Sequence, residues 1–319
     1  MNEILFFLAG TGAFLFGLYG LSSNVLSFGE KYLHSKLDSM LKSGIVCIAI
    51  SGVATALIQS STASNTLAVK LTDKKFIDIK VAFNIIMGAN IGTTATAYLA
   101  IISGINFSAF IAAAIFVAVI VAMVTKSKRI KQIMFSICYL SLVFIGLYLV
   151  NNSMQYIREP AEKLIGSCGN GIVIFLISMG ITALLSSSSL TSVLLVSLAG
   201  VSVIDIHAAL IMVMGINIGT CWTVLLASIG TGGAGKAAAW FNMIFNIGGI
   251  ILHLFLIKTG LLNWFIFANI PLNIKIALYH TIFNVTAVLL FYFINPELAA
   301  LIERIINKKT AFRKKAAKS

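Results

Sequence analysis

The sequence predicts an all-α integral membrane protein built from two inverted-topology repeats, each with a re-entrant helical hairpin and a broken transmembrane helix. Three observations predict it. The 319 residues are 59% hydrophobic and only 10% charged, with a mean hydropathy of +1.00, against about 25% charged residues in soluble domains. The chain repeats itself at an offset of 127. Dense polar clusters interrupt its most apolar segments, at matching places in the two repeats.

Composition comes first, because it decides the solvent. So few charges over this length suit one membrane domain of roughly eight to ten spanning or half-spanning segments, placed here at 1–297. The net charge of +13 is not a nucleic-acid footprint. The loops 29–43, 70–80 and 126–131, Lys236 and the tail 298–319 hold 19 of the 23 Lys and Arg. That is the pattern of loops retained on the cytoplasmic side of a cell membrane. The apolar run after MNEILFF lacks a basic flank and a small-residue cleavage site, so it reads as a retained first helix. Cys47, Cys138, Cys168 and Cys221 show no CxxC spacing and read as small packing residues.

The repeat is the strongest signal. ALIQSSTASNTL at 56–67 is answered by ALLSSSSLTSVL at 183–194, GANIGTT at 88 by GINIGTC at 215, and IDI at 77 by IDI at 204. Aligned without a gap, residues 44–96 and 171–223 share 24 of 53 positions, where unrelated apolar segments would share roughly five or six. Repeat 1 is taken as about 44–125 and repeat 2 as about 171–257.

Topology follows from charge. All the basic loops lie on one side only if 44–69 enters and leaves the membrane on that side, as a hairpin with its tip near Gln59–Thr62. The same logic makes 171–198 a hairpin from the outside with its tip at Ser186–Ser189. The N-terminus is then outside and the C-terminus cytoplasmic. Inverted repeats with discontinuous helices, and a substrate at the midplane between them, are the architecture of secondary transporters.

The candidate site residues sit at these tips. Gln59, Ser60, Ser61, Thr62 and Ser64, with Ser186, Ser187, Ser188 and Ser189, bring neutral oxygens to mid-membrane. Helix starts there offer N–H groups to an anion, while hydroxyl and carbonyl oxygens suit Na+. Asn90, Thr93, Asn217 and Thr220 follow in the two GxNIGT elements, whose glycines predict a helix break. The bland alternative is small residues for close helix packing. In the second half only, Asn242 with Asn246, and His280 with Asn284, are each four apart and share a helix face; they are a possible outer layer of the site. His280 is more simply an interhelical hydrogen-bonding residue than a proton carrier.

One absence directs the chemistry. All ten acids fall in loops or near segment ends, which disfavours Asp/Glu proton relays. An anion held without a mid-membrane Lys or Arg needs backbone N–H groups, hydroxyls, amides and a co-bound cation, which favours sodium coupling.

QSST and SSSS, each followed by GxNIGT, and the closing FNMIFN and YHTIFN boxes resemble the sodium–phosphate cotransporter family, type II, in its bacterial members. The resemblance covers roughly residues 5–295. It implies Na+-driven import of inorganic phosphate with Na+ bound at the hairpin tips, no organic cofactor and no enzymatic activity. Its motif positions are Gln59 to Thr62 and Ser187 to Ser189, beside Asn90, Thr93, Asn217 and Thr220. Two positions depart from the pattern: Ser186 replaces a Gln and Asn242 replaces a His.

Competing readings remain. SNT at 64–66 resembles an element of dicarboxylate transporters, although 191–193 reads TSV, so another oxyanion or a carboxylate is the alternative substrate. An intramembrane serine hydrolase would need a base, and His280 has no carboxylate to orient it. The basic tail could touch anionic lipid headgroups, but topological retention explains it as simply. Phosphate, Na+ and the lipid bilayer are the partners expected. The sequence carries no signal for oligomeric state.

Overall fold

The structure is a computed structural model. It describes the backbone of residues 2–103 and 108–316 and the side chains of 4–24, 43–103 and 109–306. The basic tail beyond residue 306 therefore lies outside the described side chains.

Every described element is helical. In chain order they are α1 (Asn2–Lys42), α2 (Gly44–Ile58), α3 (Ser61–Asp73), α4 (Ile79–Thr93), α5 (Ala95–Ile102), α6 (Ser108–Val124) and α7 (Lys128–Ser167). After them come α8 (Gly171–Leu185), α9 (Ser188–Gly200), α10 (Ile206–Ala227), α11 (Gly233–Lys258), the short α12 (Asn263–Ile266) and α13 (Leu272–Ala316). Among the described residues six stretches are long and apolar enough to cross a membrane: 4–24, 79–102, 128–167, 206–227, 233–258 and 272–306. Helices α2, α8 and α9 are apolar but shorter, about 20–23 Å at 1.5 Å per residue. That is too short for a hydrocarbon core of about 30 Å.

Each polar cluster forms a two-residue corner. Helix α2 stops at Ile58, Gln59 takes a left-handed conformation (φ 58°), and Ser60 turns extended to cap α3, its Oγ accepting the Ala63 N–H at 3.2 Å. The second corner repeats this residue for residue. Ser186 is left-handed (φ 51°), and Ser187 Oγ accepts the Leu190 N–H at 3.2 Å to cap α9. Left-handed backbone costs a non-glycine residue roughly 1–2 kcal/mol, so tertiary contacts must hold both corners. Across the first, the Thr55 hydroxyl donates to Ser64 Oγ at 2.8 Å, tying the first turn of α3 to the last turn of α2.

The glycine elements differ from expectation. In repeat 1 the helix is interrupted one residue past GANIGT, at Thr94, between α4 and α5. In repeat 2 the expected break is absent: α10 runs through Gly215–Thr220 unbroken. The glycines serve close packing instead. A Cβ on Gly88 would overlap Ser51 Oγ and the Ile48 carbonyl of α2, and one on Gly215 would overlap Ser178 Oγ and the Phe175 carbonyl of α8. Gly92 meets Gly52 and Thr55, as Gly219 meets Met179 and Thr182. Every one of these contacts reappears at an offset of 127. The propensity cost of about 1 kcal/mol per glycine is outweighed by backbone approach, as small residues allow between helices.

Helix α7 packs along α1, where Gly10, Gly17 and Gly146 let the two backbones touch. Helices α11 and α13 flank the repeats: α11 lies against α3, α4 and α10, and α13 against α9, α10 and α4. Large apolar side chains such as Phe110, Met123 and Phe293 remain exposed around the outside, as lipid contact requires.

Candidate transport site

The two corners meet. Ser61 and Ser188, equivalent residues of the two repeats, are both buried with their hydroxyl oxygens 3.5 Å apart. Around them the contacts come in exchanged pairs. Thr62 faces Thr223 at 3.5 Å, and Ser189, the equivalent of Thr62, faces Thr96, the equivalent of Thr223, at 3.2 Å.

Gln59 closes the first corner. Its Oε1 accepts the Thr96 hydroxyl at 2.7 Å, its carbonyl accepts the Ser189 hydroxyl at 2.9 Å, and its Nε2 donates to the Ala56 carbonyl. Ser186 is too short to repeat this. Its Oγ turns back to the Ala183 carbonyl at 3.3 Å, and the residue is exposed where Gln59 is buried. The departure from the QSS pattern thus leaves the corners unequal.

Beneath the corners lie two matched amide layers. Asn90 Nδ2 donates to Asn242 Oδ1 at 3.1 Å and to the Ile86 carbonyl at 2.8 Å. Its counterpart Asn217 accepts from His280 Nε2 at 3.2 Å. Asn246 Nδ2 donates to the Asn242 carbonyl at 2.8 Å, and Asn284 Nδ2 to the His280 carbonyl at 2.9 Å. So the boxes on α11 and α13 play equivalent parts, one for each repeat, and Asn242 occupies the place that His280 takes on the other side. Asn65 also reaches Asn242, at 3.5 Å.

Not every predicted residue converges. The Thr93 hydroxyl is spent on the Ala89 carbonyl at 2.9 Å and that of Thr220 on the Asn217 carbonyl at 2.8 Å, each in its own helix. Ser60 and Ser187 act as helix caps, and Ser64 accepts from Thr55. Thr96, Thr223 and Asn65 were not among the predicted site residues. Thr96 and Thr223 end the aligned stretch 127 apart, which was the available signal.

The chemistry of the cluster is neutral. Among the described residues the buried polar set contains one Lys, Lys275, and no Asp, Glu or Arg, and no group of three His, Cys, Asp or Glu side chains is placed to hold a metal. Lys275 donates to the Ile266 carbonyl at 2.7 Å, away from the corners. Buried oxygens of Asn65, Ser192, Asn246 and Asn284 receive no hydrogen bond from the protein. They fall into equivalent pairs, Asn65 with Ser192 and Asn246 with Asn284. Unpaired buried polar atoms cost about 1–3 kcal/mol each, and neutral oxygens of this kind are the ligands a hard cation takes.

Comparison with known proteins places the chain in a family. The chain is 27% identical over 312 residues to the uncharacterized protein YqeW of Bacillus subtilis, covering 96% of this chain and 97% of that one. It is 24% identical over 310 residues to the putative inorganic phosphate export protein YjbB of Salmonella typhimurium, covering 96% of this chain but 56% of that protein. It is also 34% identical over 108 residues to sodium-dependent phosphate transport protein 2C of Mus musculus, covering 34% of this chain and 17% of that one. The chain thus spans about half the length of YjbB and matches a small part of the mouse protein. No solved structure matches. The sequence model described as Na+/Pi-cotransporter matches residues 13–152 and 154–303, and the chain belongs to that family, a family of transporters rather than enzymes.

Proposed function

We propose that the chain is a Na+-coupled symporter that imports inorganic phosphate by alternating access between two inverted repeats. The observation that carries this reading is the contact of Ser61 with Ser188. Contact between equivalent residues, flanked by the exchanged pairs Thr62–Thr223 and Ser189–Thr96, is what a pseudo-two-fold axis between the repeats would produce. With the basic loops all cytoplasmic, α2–α3 dips in from the cytoplasm and α8–α9 from outside, so the axis lies in the membrane plane. Both corners then sit near the midplane, where irregular backbone is tolerated only if protein or a water-filled cavity surrounds it. The orientation places the N-terminus outside and the C-terminus in the cytoplasm, in the plasma membrane.

In this reading phosphate lies against the corners, held by hydroxyls of Ser61, Thr62, Ser188 and Ser189 and by free N–H groups at the starts of α3 and α9. Na+ takes the neutral oxygens beside it and lowers the cost of a bare anion at this depth. Asn90 with Asn242 and Asn246, and Asn217 with His280 and Asn284, hold the two layers in register. The names of the relatives support phosphate as substrate: one is called a sodium-dependent phosphate transport protein and another a putative phosphate export protein. A symporter runs in whichever direction its combined gradients favour, so direction follows from the cell's Na+ and phosphate gradients.

The test is ligand-dependent thermal stabilisation of the purified protein. Phosphate is expected to raise the melting temperature in Na+ and not in K+, with arsenate acting like phosphate and sulfate and dicarboxylates without effect. Stabilisation by a dicarboxylate alone would move the substrate to the alternative class.

A further inference from the structure

Helix α11 begins after Gly232, a residue with no side chain to cap it. The cap comes from another part of the chain. Asp73, the last residue of α3, accepts the Gly232 N–H through Oδ1 at 2.5 Å, across 159 positions of sequence. A carboxylate there satisfies a free N–H and complements the helix dipole. The loop is shaped around it: a Cβ on Gly232 would lie 2.8 Å from Asp73 Oδ1, and one on Gly235 3.1 Å from Asp73 Cβ. The far end of the first corner unit is thus joined to the helix that carries Asn242 and Asn246. The same end of the molecule is tied elsewhere. Asn295 of α13 donates to Asn84 Oδ1 of α4 at 2.7 Å, and Ile306 of α13 lies over Gly233.

The exchange that relates the repeats takes α3 to α9, α11 to α13 and Asp73 to Gly200. No carboxylate stands there, and among the described residues no hydrogen bond joins α9 to α13. Gly200, Val201 and Ser202 instead line an open pocket of about 450 Å³ with Gln155 and Arg158 of α7.

We propose that Asp73 is a one-sided latch that keeps the face at the end of α3 closed, so that the resting transporter opens at the opposite face, beside Gly200. The proposal rests on the alternating-access reading above. In that topology the latched face is cytoplasmic, and α11 must part from Asp73 before substrate leaves by that route. Asp73 is a positioning residue: it touches neither corner.

The test is thiol labelling of the full chain in proteoliposomes, with the four native cysteines replaced. One reporter is Ala239→Cys, buried in α11 in the cluster that includes Ala68 and Val69 of α3. The other is Val201→Cys, at the pocket. Asp73→Ala is expected to raise labelling at position 239 by about tenfold, within the usual range of conformational coupling, and to lower it at position 201. Asp73→Asn keeps an acceptor without the charge and is expected to fall between. A cap with a purely structural role would lower the melting temperature and leave the ratio of the two rates unchanged. An unchanged ratio, or a parallel rise at both positions, overturns the latch, and if Asp73→Ala does not fold, the same criterion applies to Asp73→Asn. Labelling needs no substrate, so a failure of phosphate transport would count against the proposed function and leave the latch to be judged by these rates.

Discussion

The hydroxyls of Ser61 and Ser188, 127 residues apart in the chain, lie 3.5 Å from each other at the meeting point of the two corners. Each is the first residue of its helix, and each is buried. A packing role alone would be met by alanine at both places, with loss of little more than a neutral hydrogen bond.

Ser61→Ala and Ser188→Ala are therefore expected to abolish Na+-dependent phosphate uptake while membrane abundance and melting temperature stay near wild type. Ser60→Ala is a poorer probe. It removes the cap of α3 as well, a loss of about 1 kcal/mol, and so mixes stability with function. Uptake and melting curves measured on the same preparations separate these cases.

Gln59→Gly should split backbone from side chain. Glycine relieves the left-handed strain at that corner, worth about 1 kcal/mol, but loses the bond from Thr96 to Oε1. The expected outcome is an unchanged or higher melting temperature with reduced uptake. Ser186→Gly relieves the same strain and gives up only a bond to the neighbouring Ala183 carbonyl, so its uptake should stay closer to wild type.

His280→Ala strips the partner from Asn217 and leaves a buried amide oxygen unpaired, at a cost of about 1–3 kcal/mol. His280→Gln keeps a donor on a side chain of similar reach and should recover part of that loss. Thermal unfolding of the two variants checks the difference.

Gly88→Ala and Gly215→Ala should each destabilise by about 1–3 kcal/mol through overpacking, because a methyl group at either place overlaps the facing helix. Similar losses at both positions, read from denaturation curves, are expected from the matched crossings of α2 with α4 and α8 with α10. A large loss at one position only would mean that the two crossings differ.

Both corners were legible in the sequence to within a residue or two, for a local reason: a run of serines after an apolar helix supplies a cap for the next one. The GxNIGT elements were misread in the second repeat because a glycine's low helix propensity and its value in close packing leave the same mark, and only the facing helix decides between them. Thr96 and Thr223 were missed because a single hydroxyl in an apolar helix has no local signature. The equivalence of α11 with α13 is set at an offset of 38, from Asn242 to His280, outside the 127-residue period. The family resemblance of the two boxes pointed to it, whereas the duplication did not.

The most direct measurement is uptake of radiolabelled phosphate into proteoliposomes under an inward Na+ gradient, against a matched K+ gradient, for wild type, Ser61→Ala and Ser188→Ala. The account predicts accumulation above the outside concentration for wild type in Na+ only, and none for either variant. Accumulation that ignores Na+, or that survives loss of both hydroxyls, would contradict a shared Na+ and phosphate site at the meeting of the two corners.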